Sequence, residues 1–269
     1  MNHLLRRGAV YLALASMVPK MFTAYSAWFW MDMFVRLMAM LIASAFWQAV
    51  YAASPSLGGL TLQQTLTYAV LAQMLRPMTE AGVILDVGFR VREGVIANEL
   101  VRPLDFQFAN YVSALMWMVV SLVVALPLLL IGWLAFGLQL SSDPLVWLAF
   151  ITTLVIGYSV RFFFDWIFAS MAFYTTEVWG LFVLHQGISL FFSGVLLPLA
   201  LMPGWLQAIT AALPFAQAFA VPLNLLSGIT PLTDVPGLVL TQVVWLIGML
   251  ALSRGFFLLA VRRITVQGG

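Results

Sequence analysis

Apolar and polar positions fall along this chain in long blocks. Five blocks, at about 28–52, 109–138, 145–173, 178–201 and 238–261, reach the roughly twenty apolar residues that a helix needs to cross a bilayer. A sixth, about 61–85, has an apolar first half (LTYAVLAQML) and a second half carrying Arg76, Glu80 and Asp86. That second half is expected to face protein or water rather than lipid. Trp28, Trp30, Trp47 and Tyr51 bracket the first block, as interfacial aromatics do. The pattern predicts an all-α integral membrane protein with six transmembrane helices.

Between the blocks at 178–201 and 238–261, WLQAITAALPFAQAFAVPLNLL (Trp205 to Leu226) is uncharged and long enough to cross, but holds Pro214, Pro222, Gln207, Gln217 and Asn224. A seventh crossing would also carry Arg262 and Arg263 to the other side. The region 202–236 is therefore expected to form re-entrant outer-leaflet helices that dip in and return. Such broken backbone survives at membrane depth only where protein or a cavity satisfies it.

Basic residues set the orientation. Arg6, Arg7 and Lys20 precede the first span, Arg90, Arg92 and Arg102 lie between the second and third, and Arg262 and Arg263 follow the last. The opposite loops hold Asp143 and Asp234 and no lysine or arginine. Both termini are then cytoplasmic. In the N-terminus, about five apolar residues separate Arg6-Arg7 from Ala13-Leu14-Ala15, fewer than the roughly seven of a signal peptide. Residues 1–26 are expected to be a retained interfacial helix at the cytoplasmic surface, ended near Pro19-Lys20.

Composition narrows the chemistry. Of 269 residues 63% are hydrophobic and only 8% charged, against about a quarter in a soluble domain. Mean hydropathy is +1.03. With no cysteine, disulfides and thiol chemistry are excluded, and His3 and His185 are too few for a zinc site. No basic run points to nucleic acid. A single transmembrane domain, 1–269, is expected to account for the whole chain.

Charges inside the blocks come in pairs. Asp32 with Arg36, Arg76 with Glu80 and Arg161 with Asp165 are opposite charges at i,i+4, so partners share a helix face and can neutralise each other. They line the cytoplasmic mouth of a path or brace the bundle; spacing does not separate the two. Arg254 has no local partner, and Glu177 is one candidate. His185 is expected to make a helix–helix hydrogen bond, and Gly187 and Gly194 to permit close helix packing.

The densest charge lies in EGVIANELVRPLDF, Glu93 to Phe106, within a cytoplasmic segment 86–107. Placed on a helix from Gly94 to Arg102, ended before Pro103, its Ile96 and Leu100 share one face and Asn98, Glu99 and Arg102 the other. Such a helix lies on its own bundle and offers its polar side to a partner, or is a solvated connector.

The run FFSGVLLPLALMPGWLQAITAALPF, Phe191 to Phe215, resembles the permeases of type-2 ABC transporters. Gly194, Pro198, Pro203, Pro214 and Phe215 stand at the positions where those proteins end a fifth span and turn into a re-entrant segment. TYAVLAQMLRP (Thr67 to Pro77) and IANELVRPLDF (Ile96 to Phe106) are similar to a bacterial branch of the class. The ionic second span departs from the pattern. The resemblance implies the bacterial inner membrane, two ABC ATPase subunits and a second permease chain, identical or paralogous. It implies that Arg92, Glu93, Gly94, Asn98, Glu99, Arg102, Pro103 and Asp105 form the element seated on the ATPase. ATP and Mg would lie in that partner, since the only lysine, Lys20, follows Pro19 and makes no phosphate-binding loop.

Three functions compete: the membrane subunit of an exporter of hydrophobic or amphiphilic cargo, a membrane-embedded lipid-modifying enzyme, and an ion-coupled carrier. The enzyme lacks an evident general base, and the carrier lacks the expected inverted repeats.

Overall fold

The computed structural model describes residues 10–11, 13, 16–24, 26–54, 56–79, 82–175 and 177–263. Among them the regular structure is helical, and a bridge between Leu57 and Leu60 closes a turn.

Helix α1 spans Met17–Ala24. It does not end at Pro19-Lys20 as expected. Pro19 stands in the first turn, where a missing N–H has no intrahelical partner to lose. Residues 1–9 of the expected interfacial helix lie outside the described residues. α2 spans Ser26–Ala53. The sixth block is not one helix: α3 (Leu62–Leu75) leads into a 3-10 turn at Arg76–Thr79, and α4 is Gly82–Arg92. Pro77 has no N–H to continue the α3 ladder, which is why the break falls there.

Thr61 and Gln64 cap α3 reciprocally. α5 is Ile96–Leu100, five residues rather than the nine expected. Gly94, at φ +73°, turns the chain out of α4, and the helix starts only after it.

α6 spans Phe106–Phe136 and α7 spans Pro144–Met171, their starts capped by Asp105 and Asp143. α6 is roughly 46 Å long at 1.5 Å per residue and carries Pro127 in its interior. α8 stops at Val178–Phe192, short of the expected 201. Gly194 then turns the backbone at φ +84°. At roughly 22 Å, α8 alone is shorter than the hydrocarbon layer.

Beyond it come a 3-10 turn, Leu199–Leu201, then α9 (Gly204–Ala211), α10 (Phe215–Ala218), α11 (Ala220–Leu226), a second 3-10 turn, Leu232–Asp234, and α12 (Val235–Val261). Pro198, Pro203, Pro214, Pro222, Pro231 and Pro236 each stand at the cap or in the first turn of one of these pieces. That is the place where proline's fixed φ favours a start and costs no hydrogen bond.

The segments Phe29–Ala53, Phe106–Phe136, Pro144–Met171 and Leu232–Val261 are long and apolar enough to cross a membrane. The protein is thus a multi-pass membrane protein of helical class. α6 runs antiparallel to both α12 and α3. Gln107 at the start of α6 meets Ser253 near the end of α12, and Gln63 at the start of α3 meets Gly137 at the end of α6.

α7 is the central helix, touching α4, α6, α8, α10, α11 and α12. At the arginine-rich end Trp166 is enclosed by Phe106, Phe162 and Phe257. Towards the other end Tyr68, Met118, Leu154 and Phe219 belong to a second core. There Gly157 of α7 allows the α10 backbone so close that a Cβ would overlap the Gln217 carbonyl. Gln242 of α12 ties the contact by donating to Thr153 O at 2.9 Å and Gln217 O at 2.7 Å.

Candidate functional site

A cavity of about 1000 Å³ lies between α1, α2, α4, the charged segment, α6 and α7. It runs from the arginine-rich end past Met118, twelve residues or roughly 18 Å into α6. Two of the three charge pairs read from the sequence line it from different helices: Asp32 with Arg36, and Arg161 with Asp165. Arg76 caps the end of α3. Its expected partner Glu80 lies outside the described residues.

The Arg161–Asp165 pair is buried and closes as one helical turn demands, Nε to Oδ1 at 2.7 Å. His185 of α8 joins it, with Nε2 at 2.8 Å from the same carboxylate oxygen. This contact joins α8 to α7, the helix–helix role expected of His185. Rings of Phe164 and Phe168 flank the imidazole, and the Arg161 guanidinium lies over Phe219. A charge this deep is tolerable only with such partners.

Arg36 is only 7% exposed. Its Nη2 pairs with Asp32. Nε and Nη1 are enclosed with no hydrogen-bond acceptor among the described residues.

At the cavity mouth a third cluster gathers the elements of the charged segment. Arg90 on α4 pairs with Asp86 one turn earlier, reaches Glu99 of α5 at 3.1 Å and Asn110 of α6 at 3.3 Å, and lies over the Phe106 ring. In the sequence pattern Arg90 counts only among the basic residues that set orientation. Its i,i+4 spacing from Asp86 was the available signal. Glu99 therefore turns inward onto its own bundle, and the expected common face with Asn98 and Arg102 divides.

Arg92, Glu93, Gly94, Asn98, Arg102 and Pro103 remain exposed. Val101, 82% exposed, stands among them, while Ile96 is buried as its face requires. Asp105 ends the segment with three tasks. It caps α6 through Phe108 N–H, its own N–H donates to the Tyr11 hydroxyl at 3.1 Å, and it pairs with Arg254 of α12 at 2.6 Å. Asp105, not Glu177, is thus the partner of Arg254. Glu177 instead shares a small cleft with Arg92.

The proline-rich motif lies at the opposite end. Tyr68 of α3 donates to Gly194 O at 2.7 Å, and a Cβ on Gly194 would stand 2.8 Å from that hydroxyl. Gly194 is thus required by both its φ and its neighbour. A Cβ on Gly187 would meet nothing within 4 Å among the described residues, so no close packing there depends on it. Pro198, Pro203 and Pro214 cap three short helices, and the buried Phe215 packs edge-on against Phe164 at 4.9 Å.

Among the described residues no three His, Asp or Glu stand together to hold a metal ion. The arrangement offers a large chamber with balanced charge in its walls, joined to an exposed polar segment, with a tightly packed far end. No curated protein matches the chain. Over residues 34–268 it matches the model of the family described as ABC-2 family transporter protein, and it belongs to that family, the membrane permeases of ABC transporters.

Proposed function

We propose that this chain is the membrane-spanning subunit of an ATP-driven exporter that lifts an amphiphile out of the cytoplasm or the inner leaflet. The observation that carries the reading is the cavity. It opens at the arginine-rich end, Glu99 and Arg102 of the charged segment form part of its mouth, and Asp32, Arg36, Arg161 and Asp165 line its depth. A movement of that segment therefore changes the chamber directly. Met78, Trp117 and Met118 add apolar, adaptable walls suited to a greasy tail.

In this reading the chain crosses the bilayer six times: by α2, by α3 with α4, by α6, by α7, by α8 with the turn after it, and by α12. The helices from α9 to α11 dip into the outer leaflet and return. Both termini are cytoplasmic, in a bacterial inner membrane. Arg92, Glu93, Gly94, Asn98, Arg102 and Pro103 seat on the ATPase, while Glu99 and Asp105 fasten that seat to the bundle. Two ATPase subunits bind ATP with Mg, and a second permease chain, identical or paralogous, completes the path. Short outer loops leave no room for a domain that captures external solute, which favours export over import.

The test is ATP hydrolysis by the reconstituted complex against lipids, amphiphilic drugs and hydrophilic solutes. Stimulation by amphiphiles is expected. Stimulation by the hydrophilic solutes alone would sink the reading.

A further inference from the structure

Among the described residues, Arg36 is the arginine with two buried guanidinium nitrogens that lack an acceptor. Arg161 binds Asp165 and lies over Phe219. Arg90, part-buried, reaches Asp86, Glu99 and Asn110. Arg254, more exposed, reaches Asp105 and Gln107. Arg36 is among the most enclosed, yet Asp32 engages only Nη2, and both Nε and Nη1 lack an acceptor among the described residues. A buried charged donor without an acceptor is strongly disfavoured, and an explanation is owed wherever one persists. Arg36 lines the large cavity; its Nε and Nη1 are covered while the chamber is empty, so a molecule there meets them once the side chain turns from Asp32.

The surroundings indicate the sign and shape of that molecule. Guanidinium donors in a partly apolar chamber select an oxyanion. The other charged walls are Asp86, Arg90, Glu99, Arg102, Arg161 and Asp165. With Asp32 and Arg36 they sum to no net charge, so attraction is local rather than general. Arg102 at the mouth forms no ion pair with another described residue and is exposed, a first point of contact for an anion. Arg36 itself lies ten residues into α2, roughly 15 Å along its axis. Asp32, the group that would compete with an incoming anion, has a side chain 42% exposed and space to turn away.

We propose that Arg36 receives the anionic head group, phosphate or carboxylate, of an amphiphile held in this cavity. The proposal rests on the reading of the cavity as the substrate chamber and sharpens it to a charge class. Asp32 holds the guanidinium while the chamber is empty and yields it when the head group arrives. The tail then lies against the methionine and aromatic walls.

The experiment is equilibrium binding to the purified full-length permease in nanodiscs, without any ATPase. The probes are single-chain lysophosphatidic acid, a fatty acid of equal length, the matching monoacylglycerol and lysophosphatidylcholine, and inorganic phosphate. The phosphomonoester and the fatty acid should bind at least about tenfold more tightly than the uncharged and zwitterionic probes, the span of one charge-assisted contact. Asp32→Asn should tighten anion binding, and Arg36→Gln should abolish the preference. Because Arg36→Gln alone leaves a carboxylate unpaired, Asp32→Asn/Arg36→Gln provides a neutral pair expected to fold and to bind all lipids alike. Inorganic phosphate displacing the lipid at equal concentration would mean a free-anion site and overturn the head-group assignment. Equal binding of charged and neutral lipids to the native chain, or a preference surviving the double variant, would overturn the proposal. ATPase stimulation tells the two failures apart. Stimulation by amphiphiles without charge preference leaves the export reading standing and removes this site, and Arg36-dependent binding without stimulation does the reverse.

Discussion

Asp105 and Arg254 stand 2.6 Å apart, joining the end of the charged segment to the last long helix. The pair is partly exposed, 36% and 41% at the side chains, so its own worth is small, below about 1 kcal/mol. Asp105 also caps α6, and losing a cap costs about 1 kcal/mol. Asp105→Ala should therefore lower stability by about 1–2 kcal/mol and Arg254→Ala by less than about 1. Thermal unfolding in nanodiscs measures both. Equal losses would mean that the cap contributes nothing.

Glu99 and Arg102 should respond differently to charge reversal. Arg102→Glu alters an exposed side chain and is expected to weaken ATPase assembly while leaving the melting temperature of the isolated permease unchanged. Glu99→Lys places a cation against Arg90 and should lower the melting temperature by itself. Co-purification of the ATPase and thermal unfolding, read side by side, test this. Identical behaviour of the two variants would contradict the division of the segment into an outward and an inward face.

Gly157→Ala should be severe, because the new methyl would overlap the Gln217 carbonyl and backbone cannot move aside as a flexible side chain can. A loss of about 2–4 kcal/mol, or failure to accumulate in the membrane, is expected. Gly187→Ala meets nothing within 4 Å among the described residues and should be nearly silent, a few tenths of a kcal/mol at most in either direction. A damaging Gly187→Ala would place a second chain against that face of α8.

Topology is open to direct labelling, since the chain has no cysteine. Ser56, Ser142 and Asn98 are exposed. Single cysteines at the first two should react with an impermeant maleimide in intact cells, and one at Asn98 only after lysis. External labelling at Asn98 with protection at Ser56 would reverse the orientation.

The long blocks of the sequence map onto α2, α6, α7 and α12 with ends displaced by only a few residues, because twenty apolar residues leave one plausible structure. The two imperfect blocks are where backbone chemistry overrides hydropathy. Pro77 breaks the block at 61–85 into α3 and α4, and Gly194 turns the block at 178–201 after Phe192. Pro19 misled the reading of the N-terminus, since proline serves a helix start as readily as a stop.

Within the site, i,i+4 spacing revealed Asp32–Arg36 and Arg161–Asp165, partnerships fixed by one helix turn. His185 joining Asp165 and Asp105 joining Arg254 are long-range pairings, decided by which helices pack together, and spacing carries no record of them. The cavity that unites these groups was equally invisible along the chain.

Pro127 gives α6 a joint. The proline cannot bond the carbonyl of Val123, so the helix is weakest one turn before it. The α6 residues that line the chamber, from Phe106 to Ser121, lie on one side of that joint and are anchored through Asp105 to the last helix. The other side ends where Gln63 grips Phe136 and Gly137. In the export reading, a displacement of the charged segment would bend α6 at this missing bond and move the chamber wall relative to the half that Gln63 holds.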